Sequence, residues 1–506
     1  MKGRRSFYNI IFGIGGQILT IALGIVIPRL FISTLGSEVN GLMSSITQIV
    51  VYLGLLEAGV GGASIQALYS PISKGDKDGV NGILAATSQY YRKTGIWYCV
   101  AVVLCAIIYP LFITSNISRI SIFAVIFLTG MSGAINFFFQ GKFKLLLTAE
   151  GKSYVVTIVA TIINLLTSAA KIALLLLGYN IVLIQLSYFI ISILQMIIMW
   201  FYIKRNYKWI NLSVKANYDA ISQKNSVLVH QVSGLIFNNT DVLVLTVFCG
   251  LKVVSVYVIY NMLFEIVNTA ISNINSGIVF VLGQSYYEDK NKYMKLYDSY
   301  ELYYMAMVFA LYAISYVLIL PFMKLYTAGI TDINYIKFWL PVLFVILKLL
   351  LCARTPSMNA INVSGRFRET QYRSVFESTI NIVASLIFVK YYGIYGVLMG
   401  TIVALLYRTN DIILYSNKHI LKRSPWITYK RWLINVTVFL AIIYITTNLH
   451  IFPTTYINIV GIAIVLAITI IPIFFIIGSI FEMRVCKYTL SYVTKYIGKG
   501  VNNKKR

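Results

Sequence analysis

Charge is scarce in this chain, and acidic charge scarcer still: 12% of residues are charged, and 17 Asp and Glu face 43 Lys and Arg. Few charges, 58% hydrophobic residues and a mean hydropathy of +0.77 exclude an ordinary soluble domain. Cysteine is sparse too. Cys99, Cys105, Cys249, Cys352 and Cys486 sit in or beside apolar stretches, with neither metal-ligand spacing nor the density of a disulfide framework. They are expected to pack as small apolar side chains. Enzyme motifs are missing. Gly151-Lys152-Ser153 resembles the end of a Walker A loop, but the position five before Gly151 is Leu146 and not glycine. Asp76-Lys77-Asp78 has the spacing of a metal-binding Asp-x-Asp, yet it lies in a short charged turn. No Ser/His/Asp or Cys/His constellation stands out, and no nucleic-acid-binding module accompanies the net charge of +26. The expectation is a protein that is not an enzyme and that needs neither cofactor nor metal.

What the chain has instead is fourteen long apolar stretches: 8–33, 40–66, 95–114, 120–140, 154–177, 180–203, 227–249, 254–283, 301–323, 334–355, 373–390, 393–416, 433–449 and 458–480. A bilayer core about 30 Å thick needs about 20 apolar residues per helix, so each stretch reads as a membrane span. Lys2, Arg4 and Arg5 precede the first, which is longer than a signal-peptide core and lacks a clear small-residue cleavage site; it reads as a retained helix. With both termini in the cytoplasm, most Lys and Arg fall on the cytoplasmic side. Arg29, Arg119, Lys252, Lys324, Lys337 and Lys390 lie outside or at the outer rim, and Lys171, Lys348 and Arg408 lie within spans. That asymmetry is the positive-inside pattern, and basic loops beside anionic lipid headgroups account for the charge.

The sequence also repeats at an offset of about 214 residues. Gly36-Ser37-Glu38-Val39 returns as Gly250-Leu251-Lys252-Val253, and the turn Lys74–Asp78 as Glu288–Lys292. Ile163–Ser168 matches Ile380–Ser385. Six spans per copy imply two lobes of the same orientation, related by a pseudo-twofold axis along the membrane normal. The expected organisation is an N-lobe at 1–210, a C-lobe at 211–425, and two additional spans with a basic tail at 426–506.

Polar faces interrupt the spans. Asn261, Glu265, Asn268, Ser272 and Asn275 recur at steps of three and four and form one stripe along the eighth span. His230, Gly234, Asn238 and Asp241 share a face of the seventh; Thr157, Thr161, Asn164, Ser168 and Lys171 share one of the fifth. Glu57 lies near Gly54 and Gly61 in the second. An ionisable group at mid-membrane costs about 2.5–3.5 kcal/mol on insertion scales, so each needs a partner, a water-filled cavity or a function. Glu265 and Lys348 are expected to face a cavity. Arg408 and Asp411 are spaced i, i+3 for an ion pair.

Length, duplicated six-span halves and two extra spans resemble the Wzx-type polysaccharide flippases of the multidrug/oligosaccharidyl-lipid/polysaccharide exporter superfamily. Leu53-Gly54-Leu55-Leu56-Glu57-Ala58-Gly59-Val60-Gly61, Leu68-Tyr69-Ser70-Pro71, Asn239-Thr240-Asp241 and Val254-Ser255-Val256-Tyr257 carry the local resemblance. It implies alternating-access movement of an undecaprenyl-diphosphate-linked oligosaccharide from the cytoplasmic to the outer leaflet of the cell membrane. Such movement serves capsule, exopolysaccharide or O-antigen synthesis, coupled to an H⁺ or Na⁺ gradient, beside membrane lipids and other polysaccharide-assembly proteins. Cations and donors must then accompany the diphosphate and sugar. Lys348, Lys171, Arg408, Arg29, Asn268 and Asn261 are the candidate substrate-binding residues; Glu265, Asp241 and Glu57 are the candidate ion-coupling ones. A multidrug exporter of the same superfamily is the alternative. A membrane polysaccharide polymerase is disfavoured by the short outer loops.

Overall fold

The computed structural model describes the backbone of residues 2–57, 60–221, 224–448 and 453–503. It describes their side chains except at 2–14, 18, 224–231, 233, 238, 367, 368, 371, 493 and 495–503. Every regular element among the described residues is helical. Thirteen of these helices are long and apolar enough to cross a membrane, and the shorter apolar helix Asn239–Cys249 falls on the remaining expected span. The protein is an all-α, multi-pass membrane protein.

The chain divides into two compact units, Met1–Ile259 with Gly329–Ile333, and Tyr260–Ala328 with Asn334–Arg506. The first holds α1 (Lys2–Thr34), α2 (Ser37–Leu53), α3 (Val60–Lys74), α4 (Lys77–Phe112), α5 (Arg119–Ile135), α6 (Gly141–Ala149), α7 (Ser153–Leu176), α8 (Ile181–Asn206) and α9 (Lys224–Cys249). It also holds the start of α10 (Leu251–Glu288). The second span differs from the continuous helix expected. α2 stops at Leu53, passes through a 3₁₀ turn at Gly54–Glu57, and helix resumes at Val60. Gly54 begins the tighter turn, and the turn delivers the Glu57 carboxylate to Tyr91 and Asn136, 2.5 and 3.0 Å away. A second irregularity follows α5, where a π-helical turn covers Asn136–Gln140. Asp332 caps α2, accepting from the Ser37 N–H at 2.9 Å and its hydroxyl at 2.7 Å.

The second unit continues α10 and adds α11 (Lys290–Tyr326), α12 (Trp339–Ala353), α13 (Thr355–Val363), α14 (Gln371–Tyr392), α15 (Ile394–Ser416), α16 (Trp426–Asn448), α17 (Tyr456–Phe481) and α18 (Met483–Asn503). α14 and α15 pack face to face along a Gly-x-x-x-Gly pair. A Cβ added at Gly396 would stand 2.2 Å from the Phe388 carbonyl oxygen, and one at Gly400 2.5 Å from the Ser385 nitrogen. α16 and α17 pack on α11. α16 starts at Trp426, seven residues before the expected span, so Arg431 lies inside the helix and not in a loop.

The duplication is visible in the backbone. Chain reversals fall on left-handed glycines paired about 214 residues apart: Gly36 with Gly250 (φ 86° and 83°) and Gly151 with Gly365 (both 72°). Asp76 and Asp289 cap the paired helices α4 and α11, each accepting from backbone N–H groups just inside the helix. Asp76 of the Asp-x-Asp sequence is thus a helix cap. Lys152 of the Walker-like sequence is an ion-pair partner of Glu150, 2.6 Å away.

Candidate functional site: a buried lysine on a polar stripe

α12 is a run of Leu, Ile, Val and Phe around one cation, Lys348. Its side chain is 4% exposed and reaches the polar stripe of α10. The ammonium donates to Glu265 Oε1 at 2.5 Å and to Asn261 Oδ1 at 3.1 Å, while Asn268 Nδ2 donates to Glu265 Oε2 at 3.0 Å. A buried charge persists only with such partners. The pair is lopsided: the Glu265 side chain is 44% exposed. The cation is locked in protein and the carboxylate stands half open.

Farther along the stripe, a cavity of about 280 Å³ is lined by Asn268, Ser272, Asn275, Tyr304, Arg354 and Asn359 among others. Tyr300 and Asn359 knit its wall, with Asn359 Nδ2 donating to the Tyr300 hydroxyl at 2.8 Å and to Asn275 Oδ1 at 3.0 Å. Amides, hydroxyls and one guanidinium are the groups that recognise polyhydroxylated or anionic ligands.

Arg354 belongs to a charge cluster behind that wall. It pairs with Glu377, whose other oxygen is 3.5 Å from Arg408 Nε. Arg408 is fully buried and donates to Asp411 at 2.7 Å and to the Ser374 hydroxyl at 2.9 Å. Arg373 also pairs with Asp411. The expected Arg408–Asp411 pair is therefore formed, within a group of three guanidiniums and two carboxylates. Arg408 does not line the cavity; Arg354 does.

A larger ion network ties α16 and α17 to α11. Glu301, fully buried, accepts from Arg431, from Arg423 at 2.5 Å and from Thr428 at 2.8 Å. Arg431 also grips Glu482 with two bonds of 2.6 and 2.7 Å. Burial disfavours the charge of Arg423, in the loop before α16, but Glu301, Tyr297 and Asp298 outweigh it and raise its pKa.

The remaining candidates lie in the first unit. Glu57 is held by Tyr91 and Asn136, and Lys144 donates to Asn136 Oδ1 at 3.0 Å. Asp241 is buried and accepts from the Tyr257 hydroxyl at 2.9 Å. The Lys171 ammonium sits 5.1 Å from the Tyr188 ring centroid. Arg29 follows Pro28 near the end of α1 and is half-buried. His230 and Asn238 lie outside the residues whose side chains are described. Of the residues singled out in the sequence, Lys348, Asn261, Glu265 and Asn268 come together in one hydrogen-bonded group. Arg354, Glu377, Tyr300 and Asn359 were missed. Pro356 was the available signal: it marks a helix start, so Trp339–Val363 is one broken span with Arg354 inside it.

Solved structures share this architecture. A structure described as the lipid II flippase MurJ in an inward closed conformation superposes with a TM-score of 0.71 at 16% identity, covering 94% of this chain and 100% of that one. An inward-facing multidrug resistance MATE family transporter of the MOP superfamily gives 0.65 at 15% identity, covering 79% and 95%. The chain shares the fold of these transporters. A third MOP superfamily transporter, from Pyrococcus furiosus and described as having a binding pocket of reverse polarity, gives 0.53 at 17% identity, covering 84% and 96%. No protein-family model matches the chain, and no curated protein matches it by sequence.

Proposed function

We propose that the protein is a flippase that carries an undecaprenyl-diphosphate-linked oligosaccharide from the cytoplasmic to the outer leaflet by alternating access. The observation that carries this is the second unit's site: a buried ammonium on a half-open carboxylate, beside a cavity walled by amides, tyrosines and an arginine. A diphosphate crossing a low-dielectric core needs cations at hand, and Lys348 and Arg354 supply them. Arrival of the diphosphate would draw Lys348 from Glu265, and the released carboxylate is then placed to take H⁺ or Na⁺. The pair thereby exchanges one counter-ion for another as the substrate enters and leaves. Sugars fit the Asn275–Tyr300–Asn359 wall. Asp241 and Glu57 are secondary candidates for ion coupling, and Lys171 and Arg29 for substrate passage through the first unit.

Among the neighbours described, the lipid flippase aligns with 94% of this chain and the inward-facing multidrug transporter with 79%. That difference favours a lipid-linked substrate over a small drug. We place both termini in the cytoplasm of a cell membrane on the distribution of Lys and Arg.

Deleting the gene separates the readings. A flippase mutant accumulates complete lipid-linked repeat units on the cytoplasmic face. Normal surface polysaccharide in the mutant would favour a drug exporter, and units accumulating on the outer face would identify a polymerase.

A further inference from the structure

The first unit carries a groove that shares no residue with the site described above. The π-helical turn Asn136–Gln140 is wedged in place: a Cβ on the following Gly141 would stand 2.3 Å from Tyr91 Cε2. π-turns of this kind concentrate at functional positions because they re-aim side chains. Here the turn puts Gln140 and Lys142 on a groove of about 380 Å³, completed by Phe139, Phe143, Trp200 and Leu212 among others. The groove is otherwise greasy. Phe139 and Trp200 are each 52% exposed along it, as side chains that meet hydrocarbon would be.

Two polar groups interrupt this surface. Gln140 is 3% exposed, and its Oε1 is buried with no hydrogen-bond partner. A buried amide left so is destabilising, and it is a position where a ligand group is wanted. Lys142 donates to the Phe138 carbonyl at 3.3 Å and keeps further N–H donors for an anion. Lys204, in the last turn of α8, is a second cation near the groove, 4.7 Å from the ring of its lining residue Trp200. The occupant must therefore combine a hydrocarbon chain, an anion and a hydroxyl; the hydroxyl serves the Gln140 amide whichever way that amide is turned.

We propose that this groove binds an anionic phospholipid with a hydroxylated headgroup, of the phosphatidylglycerol type. Its phosphate meets Lys142, a headgroup hydroxyl meets Gln140, and one acyl chain lies along Phe139, Phe143 and Trp200. The proposal is independent of the transported substrate, and its failure leaves the flippase reading intact.

The test titrates the full-length protein in detergent with dioleoyl-phosphatidylglycerol or dioleoyl-phosphatidylcholine, reading the thermal midpoint and the bound lipid by native mass spectrometry. Phosphatidylglycerol should be retained and raise the midpoint; phosphatidylcholine should do neither. Lys142→Gln should weaken phosphatidylglycerol binding at least about tenfold, as loss of a charged hydrogen bond does. Gln140→Leu should raise the lipid-free midpoint, because the orphaned oxygen is gone, while blunting the response to phosphatidylglycerol. A merely structural glutamine would show neither change. Equal responses to the two lipids would overturn the proposal, as would wild-type binding in Lys142→Gln. Stoichiometric displacement of phosphatidylglycerol by undecaprenyl diphosphate would overturn it as well, by assigning the groove to the carrier lipid. Should Gln140→Leu fail to fold, Lys142→Gln decides alone.

Discussion

The lopsided burial of the Lys348–Glu265 pair makes an uneven prediction for its two deletions. Glu265→Leu leaves a 4%-exposed ammonium with Asn261 Oδ1 at 3.1 Å as its remaining acceptor here. Removing one partner of a buried pair costs about 3–5 kcal/mol, and because the lost carboxylate was half hydrated the lower end applies, about 3 kcal/mol. Lys348→Met leaves a carboxylate that is 44% exposed and still bonded to Asn268, so water can take the lysine's place. Its cost should be that of a solvent-accessible pair, about 1 kcal/mol or less. Glu265→Leu with Lys348→Met removes both charges and should fall within about 1 kcal/mol of the wild type, well short of the sum. The assay is the thermal midpoint of the purified protein in one detergent at one pH, with flipping of a fluorescent lipid-linked sugar in proteoliposomes alongside. The single and double variants should all lose flipping, since none retains both charges. Equal destabilisation by the two single changes, or additivity in the double, would refute the geometry; full flipping by Lys348→Met would refute its role.

Glu265→Gln should keep substrate binding and lose stimulation by a pH gradient; undiminished stimulation would pass the coupling role to Asp241 or Glu57. Arg431→Leu leaves the fully buried Glu301 short of one of its two arginines and should cost about 3–5 kcal/mol, with α16 and α17 becoming protease-sensitive; a midpoint shift no larger than that of an exposed Arg→Leu control would show the network to be dispensable. Gly400→Val must displace α15 from the Ser385 backbone and should cost about 1–3 kcal/mol, read as a lower midpoint against an unchanged Gly461→Val control, whose site is open. In a cysteine-free background, Asn217→Cys and Thr331→Cys, both exposed, should differ in labelling by an impermeant thiol reagent on intact cells, Thr331→Cys reacting and Asn217→Cys not; equal labelling would sink the orientation.

Spans and polar stripe were legible because each is a signal within one segment, and the repeat because like segments recur in order about 214 positions apart. The ion networks were not, because their partners are remote in sequence: Glu301 and Arg431 are 130 positions apart. Lys430 and Arg431 looked like a loop ahead of the span at 433–449, when the helix had begun at Trp426. Scarcity itself held the missing clue. With 17 acidic residues in the chain, each one beside an apolar stretch is too costly to be incidental, and Glu301, Glu377 and Glu482 all lie in or at the end of such helices. Lys348 was found by the same cost of a charge within an apolar run; its partner Glu265 was found by periodicity, and the pairing of the two needed the fold.

Each unit holds an acid, a base and amides among its helices, and the two arrange them differently. In the first, the Glu57 carboxylate is hydrogen-bonded to Tyr91 and Asn136, and Asn136 stands between it and Lys144. In the second, Lys348 bonds Glu265 directly, flanked by Asn261 and Asn268. An amide relay keeps acid and base apart while satisfying both, which suits a fixed element of structure. Direct contact makes each charge the other's counter-ion, so an incoming anion or proton has something to displace. Only an arrangement of the second kind changes its own charge pairing when a ligand arrives, and a ligand shifts an equilibrium only through such differential interaction. On that ground the substrate-responsive site is expected in the second unit, with Glu57 holding the architecture of the first. Glu57→Gln should then lower stability while leaving pH-gradient stimulation of the surviving protein intact, and loss of that stimulation at normal stability would reverse the assignment.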